Sequence, residues 1–218
     1  MFSFPAYVTV WGRLGRFAHV GVSLLVLLFL VSPVLVVMPL SFNSQPYFTY
    51  PLPGVSLRWY KAFIDSPEWM LALKNTMITG VASTFIATVL GVMASLGLTN
   101  TRLKGKAFIT GVLVSPMIVP LIITAVGVYF AFSPLGLTSS LTGLILAHAA
   151  LGVPFVVVTV TATLAGFNEA LSRAGRSLGA SPLRVFRQGK RSISEPGVVS
   201  GAVFACAASF DESVVALL

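Results

Sequence analysis

Five long apolar runs constrain the fold of this 218-residue sequence more than any other feature. A helix needs about 20 mostly apolar residues to cross the hydrocarbon core of a bilayer, and each run is long enough to do so. We therefore predict an all-α, polytopic membrane protein with one span for each run. The predicted spans cover residues 17–40, 69–98, 107–132, 141–165 and 196–218.

The composition excludes a soluble globular protein whose whole surface is in contact with water. Hydrophobic residues make up 56% of the chain and charged residues only 9%, whereas a soluble domain carries about 25% charged residues. Cys206 is the only cysteine, and His19 and His148 lie in different runs, so we expect no disulfide, no metal site and no cofactor. The net charge of +8 lies between apolar runs rather than on one surface, so we expect membrane lipid and no nucleic acid as a partner.

The distribution of lysine and arginine predicts the orientation of the spans. The N-terminal tail 1–16, the segment between the second and third runs, and the segment 166–195 are basic, and they share one side of the membrane if the spans alternate. Because basic loops stay in the cytoplasm, we expect a cytoplasmic N-terminus and an outer loop over 41–68. Arg13 and Arg16 before the first run would also suit a secretion signal, but that run is too long for one and no small-residue cleavage site follows it.

Small residues in the second run predict a helix-packing seam. Residues at alternating steps of four and three lie on one face of a helix, and small side chains let membrane helices approach closely. The alternative is the general abundance of glycine and alanine in membrane helices. The residues of this face are Gly80, Thr84, Ala87, Gly91 and Ala94.

The segment after the fourth run has the pattern of two short helices joined at Gly179–Ala180. Asn168 is a suitable N-cap for the first helix, and Gly179 suits the position just after its end. Ser181 and Pro182 suit the N-cap and the first position of the second helix. One apolar face of the first helix would hold Leu171, Ala174, Gly175 and Leu178, and Leu183 and Phe186 would share a face of the second.

A compact, angled element of this kind suits a groove on a partner protein. The alternative is a basic loop that lies on anionic lipid headgroups. Lipid attraction explains the arginines, but it requires neither the break at Gly179–Ala180 nor the aromatic Phe186. We therefore interpret residues 168–188 as a docking element.

These residues resemble a known family. The stretch from Leu178 to Phe186 is similar to the cytoplasmic coupling loop of bacterial binding-protein-dependent ABC importer permeases of type I. Further motifs occur in the family's order along most of the chain and resemble the spermidine/putrescine-like branch. They are Ser41-Phe42-Asn43, Ser56-Leu57-Arg58-Trp59-Tyr60, Asn75-Thr76, the stretch from Ser115 to Pro120, His148 with Pro154, and Ser209-Phe210-Asp211-Glu212.

The resemblance implies a permease domain over 69–218 and the role of a transmembrane subunit of an ATP-driven importer in the bacterial inner membrane. It implies a separate ATP-binding subunit, a second permease subunit and a periplasmic substrate-binding protein as partners, and a polyamine or similar small organic cation as substrate. No phosphate-binding G-x-x-x-x-G-K-[ST] motif is present, so ATP chemistry would lie in another chain and this one is not expected to be an enzyme. The residues expected to dock the ATPase are Ala174, Gly175, Leu178, Gly179, Ala180, Ser181, Pro182, Leu183 and Phe186.

The sequence also departs from the family. Arg173 stands where the family has the glutamate of its Glu-Ala-Ala signature, and Lys190-Arg191-Ser192 stands where it has a hydrophobic-Leu-Pro triplet. The chain ends within the fifth predicted span, without a sixth, so we expect a fragment or a truncated gene product. An alternative function is therefore a degenerate permease that assembles without driving transport. A membrane-embedded enzyme would need a richer set of reactive groups, and a channel would need a span with a repeated polar face.

Ionisable residues inside spans are costly and mark candidate pathway residues. Asp211 and Glu212 lie about 15 residues into the fifth run, or ~22 Å along it, beyond the midplane toward the outside. They would suit a cation pathway, and the alternative is a hydrogen bond between helices or a position near the outer interface. His148 is the third candidate for the substrate pathway, with polar packing as its alternative.

Overall fold

The computed structural model describes residues 9–99, 103–167, 169–185, 189 and 191–217. Within these ranges the fold is all-α, as predicted, and the chain divides into two compact units, Met1–Met70 and Leu71–Leu218. The 3-10 turns Ser133–Leu135 and Val215–Leu217 follow α5 and α9. The helices are α1 (Val10–Leu40), α2 (Arg58–Asp65), α3 (Pro67–Leu98), α4 (Lys106–Ile118), α5 (Leu121–Phe132), α6 (Leu141–Ala165), α7 (Glu169–Ser177), α8 (Pro182–Val185) and α9 (Arg191–Asp211).

Four of the described helices are long and apolar enough to cross a membrane, namely α1, α3, α6 and α9. The bent pair α4–α5 adds a fifth crossing if the two helices form one broken span. Their length and apolar composition confirm the prediction of a polytopic helical membrane protein.

Helix caps set boundaries that apolar content alone does not reveal. α6 covers 141–165 as predicted, because the Ser140 side chain accepts a hydrogen bond from the N–H of Gly143 at 3.0 Å and starts the helix there. α1 begins at Val10, before the predicted span, because Thr9 Oγ1 accepts from the N–H of Gly12 at 3.3 Å. Part of the predicted N-terminal tail is therefore helical.

The fifth span was placed too far along the chain. α9 runs over Arg191–Asp211, whereas the prediction covered 196–218. The first turns of α9 are polar and so do not belong to the apolar run, although they belong to the helix. Asp211 is the last helical residue, and the chain then turns into the short 3-10 turn that contains Val215.

The predicted span over 107–132 is not one continuous helix. α4 ends at Ile118, α5 begins at Leu121, and the two helix directions differ by 109°. Proline disfavours the helical conformation of the residue before it, and Val119 is accordingly extended, with ψ at 134°. Pro120 also lacks the N–H that the carbonyl of Pro116 would accept in a continuous helix.

In the first unit, Asn43 fixes the loop that follows α1. Its side chain is buried, with Nδ2 donating to the carbonyl of Tyr47 at 2.7 Å and Oδ1 accepting from the N–H of Gln45 at 3.0 Å. The Asn43 carbonyl accepts from the indole N–H of Trp59 in α2 at 3.0 Å. The predicted outer loop over 41–68 is therefore an ordered structure that contains a short helix, which the sequence analysis did not predict.

Small residues bring α3, α6 and α9 together in the second unit. Gly152 of α6 lies between Ala87 of α3 and Ala205 of α9, since a β-carbon built on it would be 3.0 and 3.2 Å from their β-carbons. Gly201 of α9 lies against Thr159 of α6 in the same way. Close approach of this kind replaces the hydrophobic drive that is missing between helices in lipid.

The packing seam predicted on α3 is confirmed at three of its five positions. Gly80, Ala87 and Gly91 are buried, but Thr84 and Ala94 are only half-buried. The other buried positions of α3 are Thr79, Ser83, Ser95 and Leu98. Serine hydroxyls therefore share this face with glycine and alanine.

Candidate functional site

A cavity of about 280 Å³ lies where the break between α4 and α5 meets the middle of α6 and the end of α9. Irregular backbone at membrane depth is tolerated where it is covered by protein or lines a cavity, and this break does line one. All three predicted pathway residues are among the lining residues. These are Pro116, Met117, Leu121, His148, Leu151, Phe155, Ala208, Ser209, Asp211 and Glu212.

His148 is tied to two other helices by a short chain of hydrogen bonds. Its Nδ1 lies 2.9 Å from Ser209 Oγ of α9, and Ser83 Oγ of α3 donates to the same Ser209 oxygen at 3.2 Å. His148 is 5% exposed and Ser83 is 2% exposed, so this chain is shielded from its surroundings. His148 Nε2 is also buried and has no hydrogen-bond partner among the described residues.

Asp211 and Glu212 lie at the end of α9 and not inside a continuing span. Asp211 is exposed and closes the helix, while Glu212 is half-buried just beyond it. Glu212 Oε1 accepts a hydrogen bond from the N–H of Val215 at 2.9 Å, which fixes the turn after the helix. The position predicted for the two residues, inside a span reaching residue 218, is therefore wrong, because the helix ends at Asp211.

The electrostatics of this cavity favour positive charge. Two carboxylates lie beside the C-terminal end of α9, where the helix dipole also places partial negative charge. The described lining contains no lysine or arginine that could neutralise them. A cation in the cavity would therefore meet acceptor oxygens and no competing cationic side chain.

The second candidate site is the element formed by α7 and α8. Its predicted break is confirmed, because Gly179 has a positive φ of 84° and closes α7. The N–H of Gly179 donates to the carbonyl of Arg176 at 3.0 Å, and the N–H of Ala180 donates to the carbonyl of Gly175 at 3.0 Å. This pair of bonds is a Schellman motif, which requires a left-handed residue that glycine adopts without strain.

The start of α8 also follows the prediction. Ser181 caps the helix, with its Oγ accepting from the N–H of Arg184 at 3.4 Å and its carbonyl accepting from the N–H of Val185 at 3.1 Å. Val185 packs back on α7, because a β-carbon built on Gly175 would lie 3.3 Å from its side chain. The two short helices therefore form one angled element.

Two residues of the apolar face predicted for α7 are exposed in the structure. Leu178 lies beyond the last turn of α7 and is 88% exposed, and Ala174 is exposed as well. Gly175 is half-buried, and the neighbouring buried residue is Ser172. This face is therefore not covered by other described parts of the chain at Ala174 and Leu178.

Several predicted docking residues lie outside what the structure describes. Phe186 and the proposed N-cap Asn168 are outside the described residues, and so are the side chains of Leu171, Pro182 and Leu183. The described docking residues Ala174, Gly175, Leu178, Gly179, Ala180 and Ser181 all belong to α7 or to the turn that follows it.

Comparison with known proteins finds transport proteins of similar sequence. No protein-family model matches it. It is 29% identical over 202 residues to the spermidine/putrescine transport system permease protein PotC of Escherichia coli (strain K12), a match that covers 93% of this chain and 76% of PotC. It is 26% identical over 205 residues to the putrescine transport system permease protein PotI of the same strain, covering 91% of this chain and 73% of PotI.

A solved structure of an ABC transporter has a similar fold. The chain matches a subunit of a bacterial ABC transporter involved in the import of the acidic polysaccharide alginate, with a TM-score of 0.71 and 14% identity over 95% of this chain and 74% of that chain. The chain is a homologue of ABC importer permeases. The resemblance inferred from its motifs is therefore confirmed.

In this permease homologue, sequence reasoning found the ionisable residues of the cavity but missed the residue that links them to α3. Ser83 was not singled out, although it lies three residues after Gly80 on the predicted packing face. A serine within an apolar run is a polar group that needs a partner, and this was the signal available in the sequence. Ser209 was recognised only as part of a family motif.

Proposed function

We propose that this permease homologue is one transmembrane subunit of an ATP-driven importer of polyamines or similar small organic cations. The observation that carries the proposal is the shared cavity of His148, Asp211 and Glu212 at the helix break, in a chain similar over 93% of its length to a spermidine/putrescine permease. A protonated amine needs acceptors, and the two carboxylates supply them in a site of low polarity.

The charge of the cavity, rather than the fold, is what points to a cation. The solved relative belongs to an importer of an acidic polysaccharide, so the permease fold is compatible with substrates of either charge. In this chain, Asp211 and Glu212 would repel an anionic substrate and attract a protonated amine. Substrate choice within the cations would also depend on a binding protein that delivers the substrate.

The proposed orientation places the N-terminus and the α7–α8 element in the cytoplasm of a bacterium, at the inner membrane. The basic residues around the start of α4 and in the α7–α8 element would then share the cytoplasmic side. They are Lys104 and Lys106, and Arg173, Arg176 and Arg184. This arrangement requires the α4–α5 pair to cross the membrane as one broken span. A re-entrant pair would place α7 and α8 on the other side, against the distribution of basic residues.

The α7–α8 element would dock a separate ATP-binding subunit. Leu178 has an exposed apolar side chain at the tip of a turn that the Schellman motif holds rigid. A side chain presented in this way would bind in a groove of the ATP-binding subunit. Hydrolysis would take place in that partner, so this chain itself would not be an enzyme. A second permease subunit would complete the pathway, and closure of the ATPase would move the helices as rigid bodies.

A second candidate is a permease that assembles without driving transport. It is favoured by Arg173, which is exposed on α7 where the resemblance expects a glutamate. An arginine there would reverse the charge offered to the ATPase.

The experiment that tests the proposal is reconstitution with a candidate ATPase, a second permease subunit and a binding protein in liposomes. We expect ATP hydrolysis that is stimulated by putrescine or spermidine and uptake of the labelled cation. Association without stimulated hydrolysis would support the assembly-only candidate instead. Stimulation by anionic solutes, with none by amines, would contradict the proposed substrate class.

A further inference from the structure

We infer that Ser83 and Ser209 hold His148 as the neutral tautomer that carries its proton on Nε2, and that this N–H positions the carboxylate of Glu212 in the cavity. The inference rests on the proposed function for the meaning of the cavity, but its first part concerns only hydrogen bonds within α3, α6 and α9. It makes His148 a positioning residue and not a direct ligand of the substrate.

The direction of the hydrogen bonds follows from counting donors. Ser83 has one hydroxyl proton and two acceptors for it, Ser209 Oγ at 3.2 Å and the carbonyl of Gly80 at 3.3 Å. Because Ser83 is the donor in its contact with Ser209, the Ser209 hydroxyl must donate its own proton to another group. The described acceptor within reach is Nδ1 of His148, at 2.9 Å. Ser209 can donate to Nδ1 only if that nitrogen carries no proton, so the proton of a neutral ring is on Nε2.

The opposite tautomer leaves more groups without partners. If Nδ1 donated to Ser209, the Ser209 hydroxyl proton would have no described acceptor and the Nε2 lone pair would have no described donor. With the proton on Nε2, only that N–H needs an acceptor. Each buried polar group without a partner lowers the stability of the fold, so the tautomer with its proton on Nε2 is favoured.

We assign Glu212 as the acceptor for this N–H, because Nε2 is buried without a partner among the described residues and Glu212 lines the same cavity. The two residues line it together, and the Oε1 atom of Glu212 is already held by the N–H of Val215 at 2.9 Å. A bond from His148 to Oε2 would hold the second oxygen and fix the whole carboxylate. A protonated amine has no lone pair to accept from Nε2–H, so the histidine acts on the substrate through Glu212.

The tautomer can be measured without any transport. The chain has two histidines, so a His19→Gln variant leaves His148 as the single imidazole for ¹⁵N NMR in nanodiscs. We expect a neutral ring protonated on Nε2, and a mixture of tautomers in Ser209→Ala, where the acceptor and donor at Nδ1 are lost. A ring protonated on Nδ1, or on both nitrogens, would overturn the inference.

The role of Glu212 is tested with its neighbour as the matched control. Glu212→Gln should shift the Nε2 resonance of His148, whereas Asp211→Asn should leave it in place. Equal effects of the two changes, or none, would remove Glu212 as the acceptor.

Transport kinetics provide a readout that a merely structural role would not give. In the reconstituted importer, His148→Leu should raise KM for putrescine about tenfold with a smaller change in kcat, because one hydrogen bond to a charged group is lost. His148→Gln, which keeps an N–H near the position of Nε2, should restore most of the affinity. Failure of Gln to do so would contradict the positioning role. Absence of uptake in every variant, with the Nε2 tautomer present, would contradict the proposed function alone.

Discussion

Gly91 of α3 lies directly against Val156 of α6, so closely that a β-carbon built on the glycine would be 2.6 Å from Cβ of the valine. Both residues are buried, and Val156 belongs to the apolar cluster that also holds Ala87, Val160 and Ala205. α3 and α6 can therefore approach this closely because Gly91 has no side-chain methyl group.

Replacement of Gly91 by alanine should destabilise the helix bundle. The added methyl group would overlap the Val156 side chain, and overpacking of this kind costs about 1–3 kcal/mol. Gly97→Ala in the same helix is the matched control, because no atom lies within 4 Å of its added β-carbon. Thermal unfolding in detergent should show a lower midpoint for Gly91→Ala only, and equal midpoints would contradict the close contact.

Replacement of Asn43 by alanine should loosen the outer loop without affecting the bundle. The change removes the side-chain bonds of the buried Asn43 to the carbonyl of Tyr47 and to the N–H of Gln45, at a cost of about 0.5–1.5 kcal/mol for each bond. Hydrogen exchange over residues 41–57 should rise in Asn43→Ala, while exchange in α6 stays the same. The Gln45 side chain is exposed, so Gln45→Ala is the control. It should leave hydrogen exchange unchanged both over residues 41–57 and in α6.

Leu178 should contribute apolar contact to the ATPase. Because it is 88% exposed, Leu178→Ala should leave folding and insertion intact, and loss of its burial in a groove should weaken association about tenfold. Leu135→Ala is the control, since this leucine is 68% exposed in the turn before α6, on the opposite side in the proposed orientation. Co-purification with the ATPase measures the effect, and equal binding by both variants would exclude Leu178 from the interface.

The carboxylates at the end of α9 should determine affinity for cations. Asp211→Asn and Glu212→Gln each remove one negative charge from the cavity, and each should raise KM for putrescine by about tenfold or more. Glu195→Gln, at an exposed position near the start of α9, removes the same charge elsewhere and should leave KM unchanged. Similar KM values in all three variants would show that the cavity is not on the substrate pathway.

Labelling of single-cysteine variants can show on which side of the membrane each loop lies. Cys206 is the only native cysteine, so Cys206→Ser provides a background for Leu178→Cys and Leu135→Cys, both at exposed positions. An impermeant thiol reagent added to intact cells should label residue 135 and not residue 178. Labelling of residue 178 and not of residue 135 would show that α4–α5 is re-entrant and that the proposed orientation is wrong.

Long apolar runs and local caps could be read from the sequence, and α6 and the α7–α8 turn show why. Ser140, Gly179 and Ser181 form hydrogen bonds or turns within a few residues of themselves, so the local sequence is enough to predict their effect. The break at Val119–Pro120 could not be predicted in the same way. Prolines occur within membrane helices both with and without a break, and Pro154 lies inside an unbroken α6.

The parts of the site that were missed depend on contacts distant in sequence. His148, Asp211 and Glu212 were identifiable because ionisable groups are rare in spans, but nothing local indicated that Ser83 donates to Ser209 across 126 positions.

The missing N–H of Pro120 has one further consequence. The Pro116 carbonyl loses the donor that a continuous helix would give it, and Pro116 belongs to the cavity wall. An uncharged acceptor in a residue of the same wall as the two carboxylates would add to the oxygens that a protonated amine can engage. Amines that differ in the number of their N–H groups would then be sorted by how many of these oxygens they can engage at once.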